Sequence, residues 1–458
     1  MRTDTIAAIA TAMTNSGIGI VRISGKDAIK TADSVIKLKE KNRKISDCET
    51  HTLHYGFVME GDKKIDEVMV LIMRGPKSYT REDTIEIDCH GGTLIMQKIF
   101  ELVTANGARP ADPGEFTKRA FLNGRIDLAQ AESVMDVISA KNDFALSSSM
   151  EQLSGRVSEK IHSLREQILH EIAYIESALD DPEHYSLDSY GMDLEEKVLK
   201  ILEELEKLLQ NSKNGSILKE GIHTVIVGKP NSGKSSLLNA LVGRERAIVT
   251  DIAGTTRDVI EEQINLGGIS LNVIDTAGIR DTEDFVEKIG VDKAKEHLEK
   301  ADLAIYVVDT SVPLNEDDFQ IMEMLRERKA IILLNKSDLD AVVLEEDIRE
   351  HLSQTILSVS AKNHLGIDLL EKEITKLFFE GKVSMNDEVF ITNARHRTSL
   401  MEAKNSLELV LNSIRDGMPE DFYSIDLMNV YEELGLIIGE SVEDDLVDEI
   451  FNKFCMGK

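Results

Sequence analysis

Apolar residues follow three successive rhythms along the chain. Over residues 1–120 they alternate in short runs, at 19–23, 50–59, 68–73 and 84–89, separated by Gly or Pro clusters such as Arg74-Gly75-Pro76. Period-two runs between such breakers predict strands. A helix is expected after His90-Gly91-Gly92, with Thr93 as its cap, Ile95, Ile99, Leu102 and Val103 inward, and Gly107 at its end. This first segment reads as a small α/β domain. The rhythm then becomes helical. No proline occurs between Pro113 and Pro182, and Leu153, Val157, Ile161, Leu164, Ile168, Ile172, Ile175 and Leu179 recur at threes and fours. That spacing draws one long amphipathic helix. Leu194, Val198, Ile201, Leu205 and Leu208 draw a second, and Asp180-Asp181-Pro182-Glu183 breaks the two apart.

From 220 to 380, apolar runs at 223–227, 271–274, 303–308, 330–334 and 356–359 alternate with helical stretches. Such alternation predicts a parallel doubly wound sheet. Beyond Gly381 the helical period returns at Leu400, Leu407, Leu411 and Ile414. A last helix is expected with Ser441 as cap and Leu446, Ile450 and Phe454 inward. The expected architecture is therefore an α/β plus all-α multidomain chain. An α/β domain spans 1–120, and a discontinuous helical domain spans 121–219 and 381–458. A doubly wound α/β domain, 220–380, is inserted between the two helical parts.

The chain has 458 residues, 42% of them apolar and seven of them proline, which suits two to four globular domains at roughly 100–200 residues each. Charge changes the picture: 53 Lys+Arg against 83 Asp+Glu leave a net −30. Such a chain is repelled by phosphate backbones and anionic membranes, so any RNA contact must be local or carried by a partner protein. No apolar run approaches the roughly 18 residues of a membrane span, and residues 1–10 lack a cationic start with an apolar core. Cys48, Cys89 and Cys455 have no metal-type spacing and are too few for a disulfide scaffold. A reducing, cytoplasmic setting is expected.

Candidate chemistry is concentrated in 220–380. Gly228-Lys229-Pro230-Asn231-Ser232-Gly233-Lys234-Ser235 follows an apolar strand and opens a helix, fitting G-x-x-x-x-G-K-[ST]. Its backbone N–H groups can wrap phosphates, Lys234 can reach the β and γ phosphates, and the Ser235 hydroxyl can ligate Mg²⁺. Contacts are expected from Asn231, Ser232, Gly233, Lys234, Ser235 and Ser236. Farther on, within Thr250, Asp251, Ile252, Ala253, Gly254, Thr255 and Thr256, the Thr256 hydroxyl is the candidate second Mg²⁺ ligand. Asp275-Thr276-Ala277-Gly278 would hold the metal through water at Asp275 and sense the γ-phosphate at the Gly278 N–H. Asn335-Lys336-Ser337-Asp338 closes another strand. The Asp338 carboxylate there can accept from guanine N1–H and the N2 amino group, which adenine cannot supply. Ser360, Ala361 and Lys362 complete the base pocket. This order and spacing imply a Ras-like P-loop GTPase, with Lys234, Thr256 and Asp275 in the catalytic set. Where a Ras-like enzyme places a water-orienting Gln, this chain has Ile279, so Asp281, Glu283, Asp284 and Glu287 are candidates for that role. Arg257 and Arg280 are candidate arginine fingers or structural ion-pair partners.

Further segments join these: Asp4-Thr5-Ile6, Gly19 through Gly25, His90-Gly91-Gly92, Pro113 through Gly124, Asp127 through Glu132, Thr250 through Asp258, and Cys455-Met456-Gly457-Lys458. On these residues the chain resembles the MnmE (TrmE) family of tRNA-modifying GTPases over essentially its full length. The resemblance implies a homodimer that joins an FAD-dependent MnmG-type partner in a heterotetramer. Together they install a carboxymethylaminomethyl-type group at C5 of the wobble uridine of certain tRNAs. It implies G domains activated by K⁺-dependent dimerisation, with K⁺ held by Asn231 and by backbone oxygens of Thr250, Ile252 and Thr255. Glu287 matches the family's water-orienting glutamate. The first domain resembles a tetrahydrofolate-binding fold that takes a 5-formyltetrahydrofolate-type folate, with Arg22, Glu86, Arg125 and Lys458 at the matching positions. Many members carry Lys where this chain has Arg125, which keeps the charge and changes its geometry. Lys118, Arg119 and Arg125, or Arg395-His396-Arg397, are candidate tRNA contacts or solvated helix faces. The role of Cys455 stays open. The main rival is a ribosome-assembly GTPase switch of the Era type. It would bring a G-x-x-G RNA clamp, and this chain has no two glycines three apart. A septin- or dynamin-like scaffold would need a basic or lipid-binding surface that the sequence lacks.

Overall fold

The computed structural model describes residues 4–185, 187, 190–242, 262–274, 298, 301–379, 391–440, 444–452, 454 and 457. The chain divides into two compact units. One comprises Met1–Ile138, Glu151–Glu195 and Asn405–Lys458; the other comprises Ser139–Met150 and Glu196–Lys404.

The first unit holds a seven-stranded sheet: β1 (Ile6–Ile9), β2 (Ser16–Ser24), β3 (Ile36–Leu38), β4 (Thr52–Glu60), β5 (Lys63–Met73), β6 (Thr84–Gly91) and β7 (Arg109–Pro110). Their order is β3-β4-β5-β6-β2-β1-β7, antiparallel throughout except β1 beside β7. Period two sorts the two faces. Val21 and Ile23, Val68, Val70 and Ile72, and Ile85 and Ile87 turn into one core beneath α1 (Ala28–Val35) and α2 (Thr93–Ala105). The alternate positions place Arg22 opposite Glu86. Helix α2 starts one residue earlier than expected. Gly92 takes the extended cap position and Thr93 is its first helical residue. Strand β1 escapes the alternation rule because both of its faces are covered. Ala7 joins the main core while Ile6 and Ala8 pack with Phe116.

Helices α3 (Glu115–Leu122), α4 (Leu128–Ser139), α5 (Asp143–Leu153), α6 (Arg156–Asp180) and α7 (Tyr190–Glu220) follow. The apolar run read as one helix from Leu153 is two elements. Gly155 adopts φ +98°, a left-handed conformation that favours glycine, so Leu153 closes α5 and α6 begins afresh. Val157, Ile161, Leu164, Ile168, Ile172 and Ile175 of α6 are buried, whereas Leu179 is exposed. On α7 all five periodic positions, Leu194 to Leu208, are buried.

The second unit holds β8 (Ile222–Val227), α8 (Lys234–Val242), β9 (Glu262–Leu266), β10 (Ile269–Val273), β11 (Leu303–Asp309), α9 (Glu316–Leu325), β12 (Ala330–Asn335), α10 (Glu345–Arg349), β13 (Thr355–Ser358) and α11 (Ile367–Phe379). Its sheet runs β13-β12-β11-β8-β10-β9. It is parallel except for the β9–β10 hairpin. Strands β10, β11 and β12 are buried at every position, as expected where helices cover both faces of a parallel sheet. Leu237, Leu241, Leu370 and Ile374 close one face; Met322, Leu325 and Ile348 close the other.

Three helices complete the chain: α12 (Ala394–Arg415), α13 (Glu420–Ile438) and α14 (Asp444–Asn452). Helix α13 packs on α6. Phe451 of α14 and Phe454 beyond it are buried with Leu128 and Ala131, and Gly457 lies against the backbone of Ile9 and Ala10. Ser441 lies outside the described residues. Among the described residues no helix is long and apolar enough to cross a membrane.

Candidate functional site

The chain leaves β8 at its carboxyl edge, turns through 228–233 and enters α8 at Lys234. Gly228 has φ +151°, and a Cβ there would collide with the Val307 carbonyl of the neighbouring strand, so the turn requires glycine. Lys234 Nζ donates to the carbonyls of Gly228 and Lys229, each at 2.7 Å. Burial lowers the pKa of this ammonium, and among the described residues no carboxylate pairs with it. A half-buried cation held by carbonyls, at a helix N-terminus, favours an incoming anion. Ser235 follows on the first turn of α8, half-buried, while Ser236 and Asn231 are exposed. Ser232 is buried, and its hydroxyl has no hydrogen-bond partner among the described residues.

Asn335 joins this loop to the segment expected to recognise the base. Its Nδ2 donates to the Ser232 carbonyl at 2.8 Å, and its Oδ1 accepts from the Ala361 N–H at 3.0 Å. Ser360 Oγ donates to Asp338 Oδ1 at 2.6 Å, which holds the Asp338 carboxyl below the usual carboxylate range while it stays open to solvent. Ser337 N–H donates to the Val359 carbonyl at 3.1 Å. Lys336 is turned away and pairs with Asp309. Burial pushes the Asp309 carboxyl up, but Lys336 and Ser311 outweigh it and hold it low. The structure thus gathers Ser232, Gly233, Lys234, Asn335, Ser337, Asp338, Ser360 and Ala361 at one edge of the sheet. Thr250 to Thr256, Asp275 to Gly278 and Glu287 lie outside the described residues.

Sequence reasoning missed a buried ion pair behind the phosphate loop. Lys229 Nζ lies 2.5 Å from Oδ2 of the fully buried Asp318. Asp318 also accepts from Tyr306 OH at 2.8 Å and from the Asn315 N–H at 3.0 Å. The signal was available in part, since Asn315 and Asp318 stand three apart before an apolar run, the spacing of a capping pair.

In the first unit, Arg22 and Glu86 meet in a 2.6 Å ion pair across β2 and β6. Arg22 also donates to the Gly457 carbonyl at 2.9 Å and lies 5.5 Å from the Phe116 ring centre. Lys458 and Cys455 lie outside the described residues. Arg125 lies 4.5 Å over the Tyr79 ring and donates to the Tyr79 carbonyl at 3.2 Å; it makes no bond to Arg22 or Glu86.

Arg119, read as a candidate RNA contact, is buried instead. It donates to Glu82 at 3.0 Å, Glu115 at 2.9 Å and Asp4 at 3.1 Å. Arg109 reaches the same Asp4 and Glu115, both at 2.5 Å. Isolated burial of a guanidinium would be costly, and three carboxylates around it remove that penalty. His396 is buried as well, leaving Arg397 as the exposed member of its triplet.

Residues 5–125 match the family model described as GTP-binding protein TrmE N-terminus, and residues 128–455 match the MnmE helical domain. A tRNA modification GTPase MnmE of Lachnoclostridium phytofermentans is 58% identical over 458 residues, covering all of both chains. That of Bacillus subtilis (strain 168) is 46% identical over 459 residues, covering 99% of this chain and 100% of the relative. Among solved structures, the G domain of the T. maritima FeoB iron transporter aligns at 24% identity over 34% of this chain and 98% of that one, with a TM-score of 0.26. With both family models matched and relatives this similar from end to end, the chain belongs to the MnmE family.

Proposed function

We propose that this chain hydrolyses GTP in the course of tRNA modification in the cytoplasm. As a homodimer with an FAD-dependent MnmG-type partner, it would add a carboxymethylaminomethyl-type group at C5 of the wobble uridine of certain tRNAs. The observation that carries the reading is the nucleotide end of the second sheet, in a chain of this family. A half-buried Lys234, held by the carbonyls of Gly228 and Lys229, stands on a loop that Asn335 ties, through Ser232 and Ala361, to the segment carrying Asp338 and Ser360. Lys234 would bind the β and γ phosphates, and Asp338 would select guanine. Ser235 and Thr256 would hold Mg²⁺, with Asp275 acting through water; the ion neutralises charge on the transferring phosphoryl group. Glu287 would orient the attacking water in place of the missing glutamine.

Asn231 is exposed at the lip of the phosphate loop, open to a K⁺ ion. Thr250, Ile252 and Thr255 would complete that site through backbone oxygens. In the first unit, Arg22, Glu86, Arg125 and Lys458 would take a 5-formyltetrahydrofolate-type folate. Asp88, two positions along the same face of β6 from Glu86, supports a polar ligand there. One of its carboxyl oxygens is buried without a hydrogen-bond partner. The exposed Arg125 and Arg397 remain candidates for local tRNA contact.

The deciding experiment is mass spectrometry of wobble-uridine nucleosides in tRNA from cells lacking this protein. Loss of the modification, restored by wild type and not by Lys234→Ala, is expected; an unchanged nucleoside profile rejects the tRNA reading. GTP turnover should also be much faster in KCl than in NaCl at equal ionic strength, and equal rates would remove K⁺ from Asn231.

A further inference from the structure

Beside the nucleotide loops, the carboxyl edge of the second sheet carries a groove of about 270 Å³. Pro313, Leu314 and Phe319 form one wall, Val342 belongs to the other, and Asp347 and Glu350 also line it. Phe319 is 43% exposed and Val342 56%, large apolar groups left open to water. The two segments that build the groove, 312–320 and 339–351, add the exposed carboxylates of Glu316, Asp317, Asp340, Glu345 and Glu346. Arg349 is the one Lys or Arg in those segments, and it is already paired with Glu345 at 2.6 Å.

Both walls are bonded to the phosphate loop. On one side, Lys229 Nζ donates to the Pro313 carbonyl at 3.4 Å and pairs with Asp318, one residue before Phe319. On the other side, the Val342 and Val343 N–H groups donate to the Thr310 carbonyl at 2.7 and 3.1 Å. The Thr310 N–H and hydroxyl donate in turn to the Asn335 carbonyl at 3.1 and 2.9 Å. Asn335 ends on Ser232 of the phosphate loop. A group that seats in the groove therefore acts on segments whose hydrogen bonds end at the phosphates' cradle.

The geometry points to a docking groove for a cationic segment of a partner protein, coupled to guanine-nucleotide binding. A large apolar side chain of that segment seats on Phe319 and Val342, and flanking lysines or arginines face the carboxylates. Charge complementarity selects this occupant. Nucleic acid carries the wrong sign, and a second copy of this chain brings its own −30 to an acidic rim. Coupling between two sites is reciprocal, so nucleotide changes the affinity for the segment by the same factor as the segment changes nucleotide affinity.

The test uses the full chain and a fluorescein-labelled amphipathic Leu/Lys peptide, titrated by anisotropy with and without GDP. Wild type should bind it saturably, and GDP should shift the affinity by about fivefold or more, the lower end of measured coupling. Asp347→Lys/Glu350→Lys should weaken binding at least tenfold, since two like-charge contacts replace two attractive ones. Phe319→Ser should weaken it with the charge unchanged. Glu196→Lys/Glu203→Lys makes the same charge change on exposed positions of α7 and should bind like wild type. Equal binding by the two charge-reversed proteins, or an affinity that GDP does not move, overturns the proposal. Self-association of wild type that the groove reversal alone abolishes would assign the groove to a second copy and overturn it too.

Discussion

Replacing Asn335 with alanine tests whether the phosphate and base loops depend on one side chain. The residue is 3% exposed, and both ends of its carboxamide are engaged, with the Ser232 carbonyl at 2.8 Å and the Ala361 N–H at 3.0 Å. Asn335→Ala leaves both backbone groups without partners in buried surroundings. At about 1–3 kcal/mol for each such group, the total is about 2–6 kcal/mol. Because the two loops must be ordered when nucleotide binds, the loss divides between stability of the second unit and affinity. An even division lowers GTP affinity by about fivefold at the small end and by roughly a hundredfold at the large end. Asn335→Asp is the sharper variant. It keeps an acceptor for the Ala361 N–H and turns a carboxylate oxygen on the Ser232 carbonyl, so it should lose more than alanine does. Titration with a fluorescent GDP analogue reads the first part, and urea unfolding reads the second. Alanine within twofold of wild type with an unmoved urea midpoint, or aspartate binding better than alanine, refutes the reasoning.

Asp338→Asn exchanges an acceptor pair for an amide that can donate to the C2 carbonyl of xanthine. GTP affinity should fall by about tenfold or more and xanthosine triphosphate should compete better, whereas unchanged guanine preference in a competition assay counts against Asp338. Glu287→Ala should keep GTP binding and lose turnover by about a hundredfold or more, and undiminished single-turnover hydrolysis would send the water-orienting role to Asp281, Glu283 or Asp284. Arg119→Leu takes the cation from Glu82 and leaves Asp4 and Glu115 to Arg109 alone, and should cost about 3–5 kcal/mol of unfolding free energy while GTP affinity stays as in wild type; a loss below about 1 kcal/mol would show the network to be dispensable. Arg109 holds the Asp4 carboxyl below its usual range, and Glu115 is held low as well, its burial outweighed by Arg109 and the Asp112 N–H. Both contributions are complete above the ordinary carboxylate range and are lost as pH falls through the depressed folded values, so melting temperature should drop below about pH 4, and a flat profile there would refute it.

The strands of both sheets and the faces of α6 and α7 were legible wherever one period ran long enough. Elements with both faces covered were not. Strand β1 has no polar side to mark it, and β9 offers only Ile264 and Leu266 as buried apolar positions. Gly155 divides a run whose apolar spacing gives no sign of a break, because the spacing records the buried stripe and not the chain's path. Within the candidate site, Ser232, Lys234, Asn335, Asp338 and Ser360 could be singled out because their motifs are local in sequence. Arg119 shows the opposite case. Its surroundings come from residues 4, 82 and 115, and a basic side chain beside Lys118 gives no hint of three carboxylates folded around it. Lys229 is similar, since its partner Asp318 lies on a helix formed far downstream.

The Gly457 carbonyl accepts from Arg22, and its main chain rests on Ile9 and Ala10. The first unit thus joins segments from both ends of the sequence, whereas the second is drawn wholly from residues 139–150 and 196–404. During synthesis the ribosome releases every residue of the second unit before residues 405–458 emerge. Domains fold as units while translation proceeds, so the nucleotide-binding sheet can form while Arg22 still awaits its carbonyl. The strands of residues 6–91 are sealed only after the second unit is made, and a nascent chain stalled inside α13 would carry a finished nucleotide site while the seven-stranded sheet stays open.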